Sequence, residues 1–107
     1  MKELERTIYL NNLLSIYRGL LTETQKGILS DYYELNLSLS EIAENRGISR
    51  AAVDDALKKG IKKLEGFEKE LKIYQNNQKV LKNLAKIKDI TENSDILKII
   101  EETEEIL

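Results

Sequence analysis

The sequence predicts an all-α protein built around a helix-turn-helix, and three observations lead to this fold class. The 107 residues contain no proline and are dominated by leucine, isoleucine, lysine and glutamate, which favours helix almost throughout. The stretches "TETQ" and "SLSE" have the pattern of a capping box, in which two side chains satisfy free amides at a helix start. A small residue, a glycine and a β-branched residue then follow at the spacing of a helix-turn-helix.

The composition excludes several classes of function. Without cysteine or histidine the chain cannot form disulfides, Cys/His metal sites, thiol nucleophiles or a histidine base. It also has no paired carboxylate site and no glycine-rich phosphate loop, so we expect no enzyme and no cofactor. No stretch is apolar enough to span a membrane, and charged residues interrupt the start of the chain. The expected location is the cytoplasm.

The first two helices are predicted from apolar spacing and from the first capping box. The first runs from about residue 3 to 21 and the second begins after Thr22, with Gln25 completing its box. The second ends near Asn36, a residue type that tolerates the left-handed conformation. The inward side chains are expected to be Leu4, Ile8, Leu13, Leu14, Tyr17, Leu20 and Leu21 on the first helix and Ile28, Leu29, Tyr32 and Tyr33 on the second.

The helix-turn-helix is predicted over residues 39–59. Ser38 and Glu41 form the second capping box, and the short helix 39–46 ends at a glycine. A small residue lets two helices cross closely, glycine permits the left-handed turn, and valine packs back under the first helix. The side chains that are expected to build the turn and its core are Ile42, Ala43, Gly47, Ile48, Val53 and Ala56.

The second helix of the motif carries the candidate contacts to nucleic acid. Arg50 can bind a phosphate or a guanine edge, whereas adjacent aspartates would be repelled by phosphates, although they can accept from cytosine. Asp55 can alternatively pair with a lysine one helical turn later. The net charge of −2 argues against strong nonspecific binding. The candidate nucleic-acid-facing residues are Ser49, Arg50, Asp54, Asp55, Lys58, Lys59, Lys62 and Lys63.

The same helix is predicted to continue to about Tyr74, because apolar residues recur every three or four positions from Leu57 onward. A helix of that length spans roughly 37 Å. Its apolar seam requires a cover, either from other helices of the chain or from a second copy in a homodimer, and both alternatives remain open. A turn is expected at "QNNQ", residues 75–78, separating residues 1–74 from a C-terminal extension of two helices, 75–107, the last one capped at Asn93 or Ser94.

The pieces "LLTETQ", "DYYELNLSLSEIAE" and "GISRAAVDDALKK" resemble the YlxM family of small bacterial helix-turn-helix proteins. The resemblance covers about the first three-quarters of the chain and fades after Tyr74. Members are similar to the C-terminal promoter-reading domain of sigma factors. Family members usually have glutamine where this chain has Ala51, and an aromatic or neutral polar residue where it has Asp54. Both differences remove potential base-reading groups.

The resemblance implies a function in protein targeting. Genes of the family lie beside those for the signal recognition particle GTPase and its receptor. The expected function is therefore regulation of co-translational targeting through contact with the GTPase, the particle RNA or the receptor. The alternative is a DNA-binding transcriptional regulator, with weak binding through the basic residues of the second motif helix.

Overall fold

Six α-helices and one 3-10 helix form the secondary structure of residues 2–107, the part of the chain that the computed structural model describes. These residues contain no strand, so the all-α prediction is confirmed. Two units follow each other, one ending at Leu71 and one comprising Lys72–Leu107. The elements are α1 (Lys2–Tyr17), the 3-10 helix (Arg18–Leu20), α2 (Glu23–Tyr33), α3 (Leu39–Arg46), α4 (Arg50–Leu71), α5 (Ile73–Ile90) and α6 (Ser94–Ile106).

Both predicted capping boxes are present at the starts of α2 and α3. The Thr22 hydroxyl accepts from the Gln25 amide at 3.2 Å, and the Gln25 side chain accepts from the Thr22 amide at 3.4 Å. Ser38 and Glu41 repeat the exchange with two bonds of 3.1 Å. The backbone bond from Ser38 is the main reason that the pKa of Glu41 is lowered. Because each box satisfies amides locally, both helix starts were predictable without tertiary information.

The core of the first unit is formed where α4 packs against α1, α2 and α3. Leu57 and Leu64 of α4 are buried there, so the chain's own first three helices cover the apolar seam up to Leu64, whereas Leu71 at the end of α4 is 51% exposed. The other buried apolar side chains of this unit belong to all four helices and the segment before α2: Leu10, Leu13, Leu14, Tyr17, Leu21, Ile28, Leu29, Ile42, Ala43 and Val53.

Several predicted inward residues of α1 and α2 are exposed instead. Leu4 and Ile8 are each more than half exposed, because burial on α1 begins only at Leu10. Leu20, which lies in the 3-10 helix and not on α1, is also more than half exposed. Tyr32 is 37% exposed and packs edge-to-face against the half-buried Tyr33 ring, with centroids 4.9 Å apart. Apolar spacing identifies the correct helices, but it does not indicate how far along a helix its neighbours reach.

The predicted turn at residues 75–78 is wrong. The long helix ends at Leu71, and Lys72 adopts a left-handed conformation with φ of 56°. "QNNQ" therefore lies in the first turns of α5. Lysine seldom adopts this conformation, whereas Asn36, which was predicted to be left-handed, does so with φ of 57°. The compact units divide at this break, three residues before the predicted boundary.

The second unit is a pair of helices, α5 and α6, which pack against each other. The predicted cap is confirmed, since the Asn93 side chain accepts from the amides of Asp95 at 2.9 Å and Ile96 at 3.2 Å. Lys88 and Glu104 form an ion pair of 2.7 Å between the helices. Ile100 is the only side chain of residues 72–107 that is buried. This unit therefore covers little of its own apolar surface.

Candidate nucleic-acid interface

The turn between α3 and α4 has the backbone geometry of a helix-turn-helix. Gly47 is left-handed, with φ of 65° and ψ of 34°, as predicted. The Ile48 amide donates to the Ala43 carbonyl at 3.1 Å, which satisfies a free carbonyl at the end of α3. The Ser49 hydroxyl then accepts from the Ala52 amide at 3.0 Å and caps α4.

The predicted core of the motif is confirmed at three positions and differs at two. Ile42 and Val53 are fully buried and Ala43 is 9% exposed. Ala56 is only half-buried. Ile48 was expected to point inward but is 39% exposed, so its contribution to the turn is made by its backbone amide. An apolar residue in a turn of three residues has no helical periodicity to indicate its direction.

Gly47→Val is expected to lower the free energy of unfolding by more than about 1 kcal/mol, because a β-branched residue is strained in the left-handed region. No atom lies within 4 Å of a Cβ built at Gly47, so the loss would come from backbone strain and not from crowding. Urea denaturation measures it. Gly19→Val is the matched control, since Gly19 has equal space and no positive φ. An equal change in both variants would contradict the role of the turn.

The predicted nucleic-acid-facing residues lie along the outer side of α4. Seven of them are exposed and Asp54 is half-buried. Asp55, Lys58 and Lys62 lie opposite the buried face of the helix. Ser49 and Arg50 lie at its N-terminal end. Helical geometry thus brings the set together on one surface, which we call the α4 outer face.

Ion pairs within the helix involve four of the seven charged residues on the α4 outer face. Asp54 lies 2.8 Å from Lys58 and Asp55 lies 2.9 Å from Lys59, each one turn apart. The hydrogen bond that the Lys58 ammonium donates to the Asp54 carboxylate is the main reason that the pKa of Lys58 is raised. These pairs face solvent, so they contribute little to stability. They nevertheless place a carboxylate beside Lys58 and beside Lys59, two lysines that could otherwise bind a phosphate.

The remaining basic residues of the face differ in their contacts. Lys63 donates to the side-chain oxygen of Gln25 at 3.0 Å, which directs it towards the start of α2. Within residues 2–107, neither Arg50 nor Lys62 forms an ion pair. These two positive charges are separated by about 18 Å along the helix axis. The unpaired positive charge is therefore sparse and spread out.

Arg46, which the sequence analysis did not single out, has a structural role beside this face. Its guanidinium lies 2.8 Å from the Asp31 carboxylate and joins α3 to α2. It also lies over Gly27, where a Cβ would come within 2.6 Å of a guanidinium nitrogen. The signal in the sequence is Gly27, a glycine inside a helix, which usually indicates close approach by another group.

Neither a metal-holding group of side chains nor a membrane-spanning helix occurs among the described residues. Within residues 2–107, no group of three or more acidic side chains is placed to hold a metal ion. Over the same residues, no helix combines the length and the apolar character that crossing a bilayer requires.

Comparison with known proteins identifies the family. Residues 4–106 match the UPF0122 family, described as "Putative helix-turn-helix protein, YlxM / p13 like". A UPF0122 protein of Fusobacterium nucleatum is 42% identical over 98 residues, which cover 92% of this chain and 95% of the relative. UPF0122 proteins of Clostridium acetobutylicum and Geobacillus are each 36% identical over 108 residues, with coverage of 93–98% on both sides.

These matches correct one expectation, since the likeness does not fade after Tyr74 but includes α5 and α6. They agree with the geometry of α3, its left-handed glycine and α4. The family is described as one of helix-turn-helix proteins. This chain is a member of the YlxM/p13-like helix-turn-helix family.

Proposed function

We propose that this chain is a cytoplasmic regulatory protein of co-translational targeting, which contacts a component of the signal recognition particle pathway: its GTPase, its RNA or its receptor. Support for the pathway comes from the resemblance to the YlxM family and the gene neighbourhood that this implies. Support for a target other than a promoter comes from the α4 outer face. The helix-turn-helix supplies the scaffold for this contact.

The observation that carries the proposal is the pairing of Asp54 with Lys58 and of Asp55 with Lys59. DNA affinity depends on releasing counterions by placing unpaired positive charge against phosphates. Here Lys58 and Lys59 already have carboxylate partners on the same surface. Ala51 offers no polar group for reading a base. A protein or ribonucleoprotein surface of mixed charge fits this face better than a uniform polyanion does.

A second candidate function is DNA-binding transcriptional regulation, and one observation favours it. In helix-turn-helix complexes, the N-terminal residues of the second helix contact base edges in the major groove. Ser49 and Arg50 occupy that end of α4 and are exposed. Arg50 forms no ion pair within the described residues, so its guanidinium is available to a guanine or a phosphate.

Retention on immobilised signal recognition particle, with and without nuclease treatment, tests the first candidate. We expect the full chain to be retained on the particle and not on naked duplex at the same salt. Loss of retention after nuclease treatment identifies the RNA as the contact, and persistence identifies protein. The variant Lys58→Gln with Lys62→Gln should weaken retention, whereas the control Lys82→Gln with Lys98→Gln makes the same charge change outside α4. Capture by duplex alone would reject the targeting proposal.

The substitution pair Asp54→Asn with Asp55→Gln is expected to strengthen duplex binding, because it removes phosphate repulsion and frees Lys58 and Lys59. Native binding should be weak, nearly independent of sequence and steeply lost with salt. Duplex titration at two salt concentrations measures both properties. Glu101→Gln with Glu105→Gln is the control, since it changes net charge equally outside α4. If the Asp substitutions instead abolish a tight, selective complex, the aspartates read bases and the DNA candidate is correct.

A further inference from the structure

Apolar side chains form one exposed stripe on each helix of the second unit. On α5, Ile73, Val80 and Ile87 follow one another at intervals of seven residues and are 40, 40 and 39% exposed. On α6, Ile96, Ile99 and Ile106 are 40, 61 and 83% exposed. A seven-residue interval keeps side chains on one side of a helix, as in helices that pack against a partner. Each of these six side chains keeps at least 39% of its surface exposed.

The two stripes face the same side of the helix pair. The helices pack against each other, and the ion pair between Lys88 and Glu104 identifies their inner sides. The half-buried Leu84 on α5 and the buried Ile100 on α6 lie on these inner sides and are different from the stripes. At about 100° per residue, each stripe is displaced from its inner residues by roughly a quarter turn in the same rotational sense. The three-residue connection makes the helices antiparallel neighbours, and equal rotations in antiparallel helices point to a common side. We call this surface the α5–α6 apolar face.

Opposite charges border the α5–α6 apolar face on its two edges. Beyond the stripe of α5 lie Lys79 and Lys86, and beyond the stripe of α6 lie Asp95 and Glu102, all of them exposed. The helices as a whole have the same bias. Four lysines and one aspartate occur on α5, whereas five carboxylates and one lysine occur on α6. The face therefore has one basic edge and one acidic edge.

We propose that the α5–α6 apolar face binds a second copy of this chain, with the two-fold axis parallel to the helices. This operation places each α5 on the partner's α6, so that the basic edge of each copy meets the acidic edge of the other. A two-fold axis across the helices would place α5 on α5 and lysine against lysine. The charges thus select a self-complementary four-helix bundle.

The size of the face is sufficient for such an interface. A pair of helices presents a surface about 20 Å wide, and α6 covers about 20 Å of its length. Two such faces bury on the order of 1,000 Å², which is the lower range for specific interfaces. We therefore assign the homodimer, one of the two alternatives that the sequence left open, to α5 and α6. Leu57 and Leu64 of the α4 seam are buried against helices of the same chain, so they are not available to a second copy.

Sedimentation velocity of the full chain at several concentrations and low salt tests the proposal. We expect a reversible dimer whose dissociation constant rises at least about tenfold in Ile99→Glu, since a carboxylate would be buried against apolar side chains. Ile99 is exposed in the single chain, so helix content by circular dichroism should be unchanged. Leu35→Glu is the control, because Leu35 is 63% exposed in the first unit. A monomer at high micromolar concentration, or a dimer unaffected by Ile99→Glu, would overturn the proposal.

Charge exchange tests the orientation of the two copies. Lys79→Glu with Lys86→Glu should weaken the dimer, because acidic edges then meet. Adding Asp95→Lys and Glu102→Lys to the same chain should restore it, since each α5 again meets an α6 of opposite charge. If the two-fold axis instead ran across the helices, α5 would face α5 in the dimer. Lys79→Glu with Lys86→Glu would then exchange one pair of like charges for another, so the dimer would not weaken. That result, or a failure to restore, would reject the two-fold axis proposed here.

Discussion

Leu29→Ala is expected to lower the free energy of unfolding by about 2–5 kcal/mol. Leu29 is fully buried on α2, where α2 packs against α4. Truncation removes apolar contacts and leaves a cavity that the surrounding helices can close only in part. Urea denaturation with a shared slope measures the change. Leu35→Ala is the control, because Leu35 is 63% exposed and should change stability little.

Gly60 permits this close packing, and a double-mutant cycle tests the pair. A Cβ built at Gly60 lies 2.7 Å from the Cδ1 atom of Leu29. Gly60→Ala should therefore destabilise the native protein by about 1–3 kcal/mol through overpacking, despite the better helix propensity of alanine. Gly66→Ala on the same helix meets no atom within 4 Å and should stabilise it slightly.

In the Leu29→Ala background, the crowded atoms are absent and the added methyl occupies part of the cavity. Gly60→Ala should then cost less than it does in the native chain, or should stabilise. The coupling is read as the difference between the two effects of Gly60→Ala. Additive effects would show that the close packing of α2 on α4 does not depend on the absence of a side chain at Gly60.

Tyr17→Phe is expected to lower the free energy of unfolding by about 1.5–3 kcal/mol. The Tyr17 hydroxyl donates to the Glu68 carboxylate at 2.6 Å, and Glu68 is only 7% exposed. A hydrogen bond to a buried carboxylate replaces hydration that the folded state has lost. The Tyr17 ring also packs against Phe67, with centroids 5.9 Å apart, and phenylalanine keeps that contact. The effect therefore isolates the hydroxyl.

Thermal and urea unfolding of Tyr17→Phe and Tyr32→Phe provide the comparison. Tyr32 is 37% exposed, so removing its hydroxyl should have a much smaller effect. Equal stability of the two variants would mean that the bond to Glu68 contributes no net stability. The sequence analysis did not single out this pair, because the partners are 51 positions apart. No local pattern links residues at that separation.

Most of the structural features that could be predicted from the sequence depend on local hydrogen bonds. The capping boxes at Thr22 and Ser38, the left-handed Asn36 and Gly47, and the cap at Asn93 each depend on groups within a few residues of one another. The spacing of Asp55 from a lysine one turn later likewise indicated an ion pair as the alternative to a contact with nucleic acid, and the structure has this pair with Lys59. Such interactions have fixed geometry within a helix or turn, so residue spacing is enough to predict them.

By itself, the sequence determined the all-α class, the helix-turn-helix and the charges that lie on α4. Tertiary structure decided which apolar faces are covered: Leu10 and not Leu4 on α1, and Leu57 and Leu64 of the α4 seam by the chain's own helices. The end of the long helix at Leu71, before the left-handed Lys72, also has no local signal in the sequence. The physical reason is that burial depends on contacts between residues distant in the chain, and packing energy of several kcal/mol exceeds a local preference of about 1 kcal/mol.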